Sequence, residues 1–121
     1  MTANKVTNHI ESVYGTKAEF LWESAPEFSV FRNGRNKKWF AVIMRKLPKR
    51  KFGIESDGTV DVINLKCEPM MTGSFIDGIR VFPAYHMNKQ HWISVFLDGS
   101  CNMDELKFLI DMSYSIIDRK K

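Results

Sequence analysis

The sequence predicts an α+β fold with a single domain, in which an antiparallel sheet is packed by an N-terminal and a C-terminal helix. Three observations predict it. The length of 121 residues is typical of one domain. Apolar residues recur at helical spacing near both ends of the chain, and the middle alternates β-rich runs with turn dipeptides. The predicted order over residues 1–121 is α-β-β-β-α-β-β-α.

The first half of the chain predicts one helix and three strands. Val6, Ile10, Val13 and Tyr14 share one helical face and Gly15 is a suitable terminator, so the first helix covers about 3–14. The segments that follow are a strand at 28–32, the Asn33-Gly34 turn, a strand at 38–44, a basic loop or ragged strand extension at 45–51, a short edge segment at 52–54, the Asp57-Gly58 turn and a strand at 60–66.

The second half predicts a short helix, two strands and a long closing helix. Residues 67–75 form the short helix, with Pro69 near its first turn. A strand at 79–82 runs into Pro83, which cannot donate to a ladder, so this strand lies at an edge. A strand at 91–97 follows, and Asn102 with Glu105 resembles a capping box at the last helix. The buried stripe predicted for that helix is Leu106, Leu109, Ile110, Ser113, Ile116 and Ile117.

Positive charge is concentrated in a basic hairpin at residues 32–51. No acidic residue lies between Glu27 and Glu55, whereas that window contains nine of the eighteen Lys and Arg residues. These are Arg32, Arg35, Lys37, Lys38, Arg45, Lys46, Lys49, Arg50 and Lys51. The rest of the chain has nine bases against fourteen acids, a net charge of −5. This asymmetry indicates either an anionic partner at one face or a solvated sheet edge protected by lysines.

A second candidate surface is the turn at 85–91, within the aromatic-rich stretch 82–95. Its candidate contact residues are Tyr85, His86, Asn88 and Lys89. The other interpretation of this segment is a hydrogen-bonded turn that pins the fifth strand, since asparagine-rich turns often serve the backbone. Trp39 and Trp92 could likewise stack on unpaired bases or fill the core. The amides that could contact bases or phosphates at the hairpin tips are Asn33, Asn36, Asn88 and Gln90.

Catalytic and metal chemistry have no recognisable motif in this sequence. His86 and His91 have no cysteine or carboxylate between them, so no metal site is predicted. Cys67 and Cys101 have no companion motif, and both are expected to be buried, reduced and inert. We predict no catalytic residue, no cofactor and no enzyme activity. No apolar run reaches the length of about 20 residues that a membrane span needs, and the N-terminus lacks a signal-like apolar core, so a cytoplasmic location is expected.

Several segments resemble the MmcQ/YjbR family over about residues 14–114. They are Tyr14-Gly15-Thr16, the strands at 38–44 and 60–67, the stretch from Phe82 to Val95, and Leu97-Asp98-Gly99. The resemblance implies a helix, three strands, a helix, two strands and a helix, related to the frataxin-like (CyaY-like) and secretion-chaperone-like arrangements. It also implies a double-wing surface for nucleic-acid binding.

The function predicted from these observations is a non-catalytic DNA-binding protein. The basic hairpin would provide affinity through phosphate neutralisation, and the 85–91 turn would provide a second contact. The alternative is a module on the same fold that binds a protein or a small ligand, because a concave aromatic sheet face can hold one. The partners expected are therefore DNA, or a protein or small molecule, and no membrane.

Overall fold

The β-rich runs and amphipathic ends fold as the sequence predicts in a computed structural model, which describes residues 3–119. The elements are α1 (Ala3–Tyr14), β1 (Ser29–Arg32), β2 (Trp39–Pro48), a 3-10 helix (Lys49–Phe52), β3 (Thr59–Lys66), α2 (Pro69–Phe75), β4 (Val81–Pro83), β5 (Trp92–Phe96) and α3 (Met103–Ile117). This order confirms the predicted α+β fold. None of the helices in this range is long and apolar enough to cross a membrane.

The five strands form one antiparallel sheet in the order β1-β2-β3-β5-β4. β4 is an edge strand that ends at Pro83, as the missing N–H of proline requires. It begins at Val81 rather than at Ile79, because Asp77 Oδ1 accepts hydrogen bonds from the N–H groups of Ile79, Arg80 and Val81 and holds the preceding residues in a turn.

Helices α1 and α3 cover one face of the sheet. Their inward side chains pack with one set of alternating strand residues, including Phe40, Ile63 and Ile93, all fully buried. The α3 stripe is buried as predicted except for Ile116, which is only half-buried. The α1 prediction was wrong for Val13, which is 57% exposed because only Ala3, Val6 and Ile10 of this helix point into the core.

The opposite face of the sheet, which we call the open face, is covered by loops and the 3-10 helix instead of α-helices. Its buried residues are Val30, Val42, Met44, Leu47, Val60, Val62, Phe82 and Phe96. Half-buried aromatic side chains from the connections lie over this layer, among them Trp22, Phe28 and Tyr85. Loop side chains cover a sheet less completely than a helix does, and this is the face that contains the two cavities described below.

β2 is longer than predicted and its far end is irregular. Residues 45–48 continue the strand, and the pairing with β3 shifts register between Met44 and Leu47. Lys46 has a φ of 59°, as expected for a residue in a β-bulge. The predicted edge segment at 52–54 was wrong, because residues Lys49–Phe52 form a 3-10 helix that ends at Gly53 with a φ of 79°.

The tip of the β1–β2 hairpin closes the carboxyl end of α3. Asn36 Nδ2 donates to the carbonyl of Ile117 at 2.7 Å, and Asn33 Nδ2 donates to Asp118 Oδ1 at 2.7 Å. Arg35 donates to the carbonyl oxygen of Asp118 at 2.7 Å. The contacts of Asn36 and Arg35 satisfy carbonyl groups that a helix end leaves unpaired, and the contact of Asn33 is with the Asp118 carboxylate. At the other end of α3, Asn102 Oδ1 accepts from the N–H of Glu105 at 2.9 Å, which confirms the predicted N-cap.

Candidate functional site

An aromatic cavity of about 490 Å³ opens on the open face of the sheet. Val42 and Met44 of β2 form its floor. The remaining lining residues come from two irregular segments and the start of β2: Trp22, Ser24, Ala25, Phe28, Trp39, Tyr85, His86, Met87 and Asn88. No carboxylate is among the residues that line it.

One wall of the aromatic cavity is a cluster of three rings. The Trp22 ring lies edge-on to Phe28 at 6.2 Å and edge-on to Trp39 at 5.8 Å, both between ring centroids. The Arg32 guanidinium lies 5.8 Å from the Trp39 centroid, and its Nε is 2.9 Å from Glu19 Oε2. Trp39 is only half-buried, so it presents ring surface to the cavity. Edge-to-face packing fixes the orientation of these rings.

A second part of the lining is residues 85–88 of the 85–91 turn, which is held over the sheet by two buried polar side chains. Asn64 of β3 donates to the carbonyl of Tyr85 at 2.9 Å, and the N–H of Tyr85 donates to Ser94 Oγ at 2.9 Å. Ser94 donates in turn to Asn64 Oδ1, and both side chains are fully buried. Because Ser94 belongs to β5, these hydrogen bonds attach the turn to the fifth strand, as the interpretation of the segment as a hydrogen-bonded turn expects.

The turn itself is stabilised by its own asparagine. Asn88 Oδ1 accepts from the N–H of Gln90 at 2.8 Å, and the Asn88 carbonyl accepts from the N–H groups of His91 and Trp92. His86 has a φ of 60° and its ring lies 4.0 Å from that of Tyr85. This conformation leaves Tyr85, His86 and Asn88, three of the predicted contact residues, along the same cavity.

The fourth predicted residue of this turn, Lys89, lines a second, smaller cavity of about 240 Å³. We call it the lysine cavity, since Lys51 also lines it. Its remaining lining is Phe52, Phe82, Pro83, Ala84 and Tyr85. Tyr85 lines both cavities, which are therefore neighbours on the open face.

The basic hairpin does not gather its nine cations at one place. They lie toward the two ends of β2, a strand of ten residues and therefore about 30 Å long. Four of them form ion pairs: Arg32 with Glu19 at 2.9 Å, Arg35 with Asp118 at 2.8 Å, Lys46 with Glu27 at 3.4 Å and Arg50 with Asp57 at 2.9 Å. Arg45 donates to Asn4 Oδ1 at 2.7 Å. Within residues 3–119, no ion pair involves Lys37, Lys38, Lys49 or Lys51.

The aromatic candidates divide between the core and the site. Trp92 is 8% exposed, and Lys66 Nζ lies 5.2 Å from its centroid, so its role is architectural. Trp39 lines the aromatic cavity. Sequence reasoning missed Trp22 and Phe28. Trp22 follows Phe20 and Leu21 in an otherwise polar connection. A large apolar side chain in such a connection often packs against the sheet, and this was the signal available for Trp22.

The thiols and acids of the described chain do not assemble a reactive centre. No group of three or more His, Cys, Asp or Glu side chains in residues 3–119 could hold a metal ion. Cys67 and Cys101 are buried and free, as predicted. Burial raises the pKa of the Cys67 thiol, and burial raises the pKa of Cys101 to about 11, so both favour the protonated form at neutral pH.

Comparison with known proteins shows relatives that cover nearly the whole chain. The chain is 35% identical over 116 residues to the YyaQ protein of Bacillus subtilis (strain 168), covering 96% of this chain and 98% of the relative. It is 29% identical over 99 residues to the YbdF protein of Escherichia coli O157:H7, covering 82% of this chain and 71% of that protein. Both relatives bear names that state no activity.

Two solved structures have the same fold. A crystal structure of a Pseudomonas syringae protein superposes with a TM-score of 0.91 at 40% identity, covering 96% of this chain and 98% of the other. A Deinococcus radiodurans protein with a DUF419 domain superposes with a TM-score of 0.73 at 24% identity, covering 98% and 80%. The model of the YjbR family matches residues 11–116. The chain therefore belongs to the YjbR family.

Proposed function

We propose that this protein is a non-catalytic binding module that holds a small, planar and largely apolar molecule in the aromatic cavity. The single observation behind this proposal is one cavity whose lining combines Val42 and Met44 of the sheet, a cluster of edge-to-face rings and a pinned turn. The cavity volume of about 490 Å³ lies within the range of about 300–1,000 Å³ that is usual for ligand sites.

The composition of the lining indicates the class of ligand. Rings such as Trp39 and Tyr85 favour flat partners, because offset stacking adds to the burial of apolar surface. Ser24, His86 and Asn88 are exposed polar residues along the same lining and provide a few hydrogen-bonding groups that would orient the ligand. The wall is already ordered by hydrogen bonds, so binding would cost little reorganisation.

The experiment is a titration with the uncharged fluorophore N-phenyl-1-naphthylamine, followed by its emission and by isothermal titration calorimetry. We expect saturable binding with one site per chain. Trp39→Ala should weaken it about tenfold, the effect of losing one stacking partner worth about 1.4 kcal/mol. Phe108→Ala is the matched control, since this ring on α3 is 62% exposed and lies outside the cavity. Equal affinity of both variants and the parent protein would refute the proposal.

A second candidate function is DNA binding through the basic hairpin. It is favoured by the exposed lysines Lys37 and Lys38 at one end of β2 and by Lys51 at the other. The ion pairs of Arg32, Arg35, Lys46 and Arg50 reduce the charge available to phosphates. It is tested by titrating a labelled DNA duplex at 50 and 200 mM salt: affinity that falls steeply with salt supports it, and absent or salt-insensitive binding counts against it.

A further inference from the structure

We infer that the ligand of the aromatic cavity is anionic, with a carboxylate or phosphate group that lies between Lys51 and Lys89 in the lysine cavity. This inference rests on the proposed function, because it assigns the second half of the same ligand. The ligand would then be an aromatic acid or an aromatic phosphate. Its flat part would lie in the aromatic cavity beside Trp39, and its charged group would lie in the lysine cavity, with Tyr85 between the two.

The first supporting observation is charge. The lysine cavity is lined by two lysines and by no acidic residue, and the aromatic cavity next to it is lined by no acidic residue either. No ion pair of Lys51 or Lys89 occurs in the part of the chain that the structure describes. By contrast, Arg50, the immediate neighbour of Lys51, is paired with Asp57 at 2.9 Å. An anion is therefore the complementary occupant of this site.

The second observation is that both lysines extend from fixed backbone. Lys51 belongs to the 3-10 helix, and the next residue, Phe52, packs against Phe82 at 5.5 Å, Phe96 at 5.1 Å and Tyr85 at 5.8 Å between ring centroids. Lys89 lies between Asn88 and Gln90, which are joined by an Asx hydrogen bond of 2.8 Å. Two segments distant in sequence thus each contribute a lysine to the lining of one small cavity.

The third observation is the apolar surface around the cations. Phe52, Phe82 and Tyr85 line the lysine cavity together with Pro83 and Ala84. Both lysines are exposed, so solvent screens their attraction to an anion, and the apolar lining contributes by contacting the apolar part of the ligand. Tyr85 is the shared side chain, so a ligand that reaches both cavities must pass along its ring.

The test uses naphthyl carboxylic acids in which zero to five methylene groups separate the ring from the carboxylate, each measured against its uncharged methyl ester. Affinities are determined by calorimetry for the parent protein and for three variants: Lys51→Gln, Lys89→Gln and the control Lys38→Gln, an exposed lysine outside both cavities. Naphthyl phosphate, measured beside the acids, distinguishes a carboxylate preference from a phosphate preference.

We expect at least one acid to bind five- to tenfold more tightly than its ester, with an advantage that decreases at high salt. Lys51→Gln and Lys89→Gln should each reduce that advantage, whereas Lys38→Gln should preserve it. If acid and ester bind equally at every linker length while Trp39→Ala weakens both, the anionic inference is overturned and the proposed function stands. If neither acid nor ester binds at millimolar concentration, both are overturned.

Discussion

The buried pair of Asn64 and Ser94 gives the sharpest prediction about the architecture of the site. Ser94→Ala removes the acceptor of the Tyr85 N–H and the donor to Asn64 Oδ1. Ser94 is fully buried and Tyr85 is half-buried, so water replaces these partners poorly. Because an unsatisfied buried polar group costs about 1–3 kcal/mol, the two groups left behind predict a loss of about 2–6 kcal/mol in the free energy of unfolding.

The assay is urea-induced unfolding at neutral pH, followed by circular dichroism and tryptophan fluorescence. Ser115→Ala, an exposed serine on α3, is the matched control and should change stability by no more than about 0.5 kcal/mol. A double-mutant cycle with Asn64→Ala adds a second check. Since the two side chains share a hydrogen bond, the double variant should cost less than the sum of the single variants.

Ser94→Ala should also weaken binding in the aromatic cavity, because the wall formed by Tyr85, His86 and Asn88 is anchored through the Tyr85 backbone. A stability loss below about 0.5 kcal/mol would refute the reasoning that this pair fixes the turn. A full stability loss with unchanged affinity for the naphthyl probe would refute the link between the turn and the cavity wall.

Three further predictions concern the frame around the site. Asn36→Ala should cost about 1 kcal/mol in urea unfolding, because the carbonyl of Ile117 loses its donor at the end of α3. Asp77→Asn should destabilise the protein at pH 7. Desolvation alone would raise the pKa of Asp77, but the N–H groups of Val81, Ile79 and Arg80 and the Arg80 side chain outweigh it and hold that pKa well below its usual range. A depressed pKa gives stability that is present above the ordinary carboxyl value of about 4 and is lost as pH falls toward the folded value. The cost of Asp77→Asn, measured by unfolding at pH 7, 5 and 3, should therefore shrink at pH 3; a cost independent of pH would contradict this. Cys101 should react with a thiol reagent far more slowly in the native protein than in urea, since it is buried and its pKa is raised to about 11. Equal reaction rates in the native protein and in urea would contradict the burial of this thiol.

The elements that local chemistry determines could be predicted from the sequence. Pro83 identifies an edge strand because it has no N–H, and Asn102 with Glu105 identifies the start of α3. The amphipathic pattern of α1 gives its bounds, although it misplaces Val13, since the last turn of this helix packs against Phe40 through Tyr14 and leaves Val13 exposed beside it. Each of these predictions depends on a few neighbouring residues.

The site could be predicted only in part, because its walls come from segments distant in sequence. Trp22 lies in an irregular connection, where no periodicity reports which layer a side chain joins. Phe28 alternates with Val30 in the predicted strand at 28–32 and lies on the same face, but the pattern alone does not indicate a cavity there. The basic hairpin looks continuous along the chain, yet β2 separates its two groups of cations, and its acidic partners Glu19 and Asp118 lie outside the window that appears free of acids. Tyr85, His86 and Asn88 were found because a turn with unusual composition is visible locally.

Residue-resolved NMR during titration with a naphthyl carboxylic acid shows directly whether the aromatic cavity is a ligand site. We expect saturable shifts in the indole N–H signals of Trp22 and Trp39 and in the backbone amides of residues 85–88, with the Trp92 indole little affected. Shifts confined to the hairpin tip at residues 33–38, to the outer surface of α3, or to no residue at all would contradict this expectation.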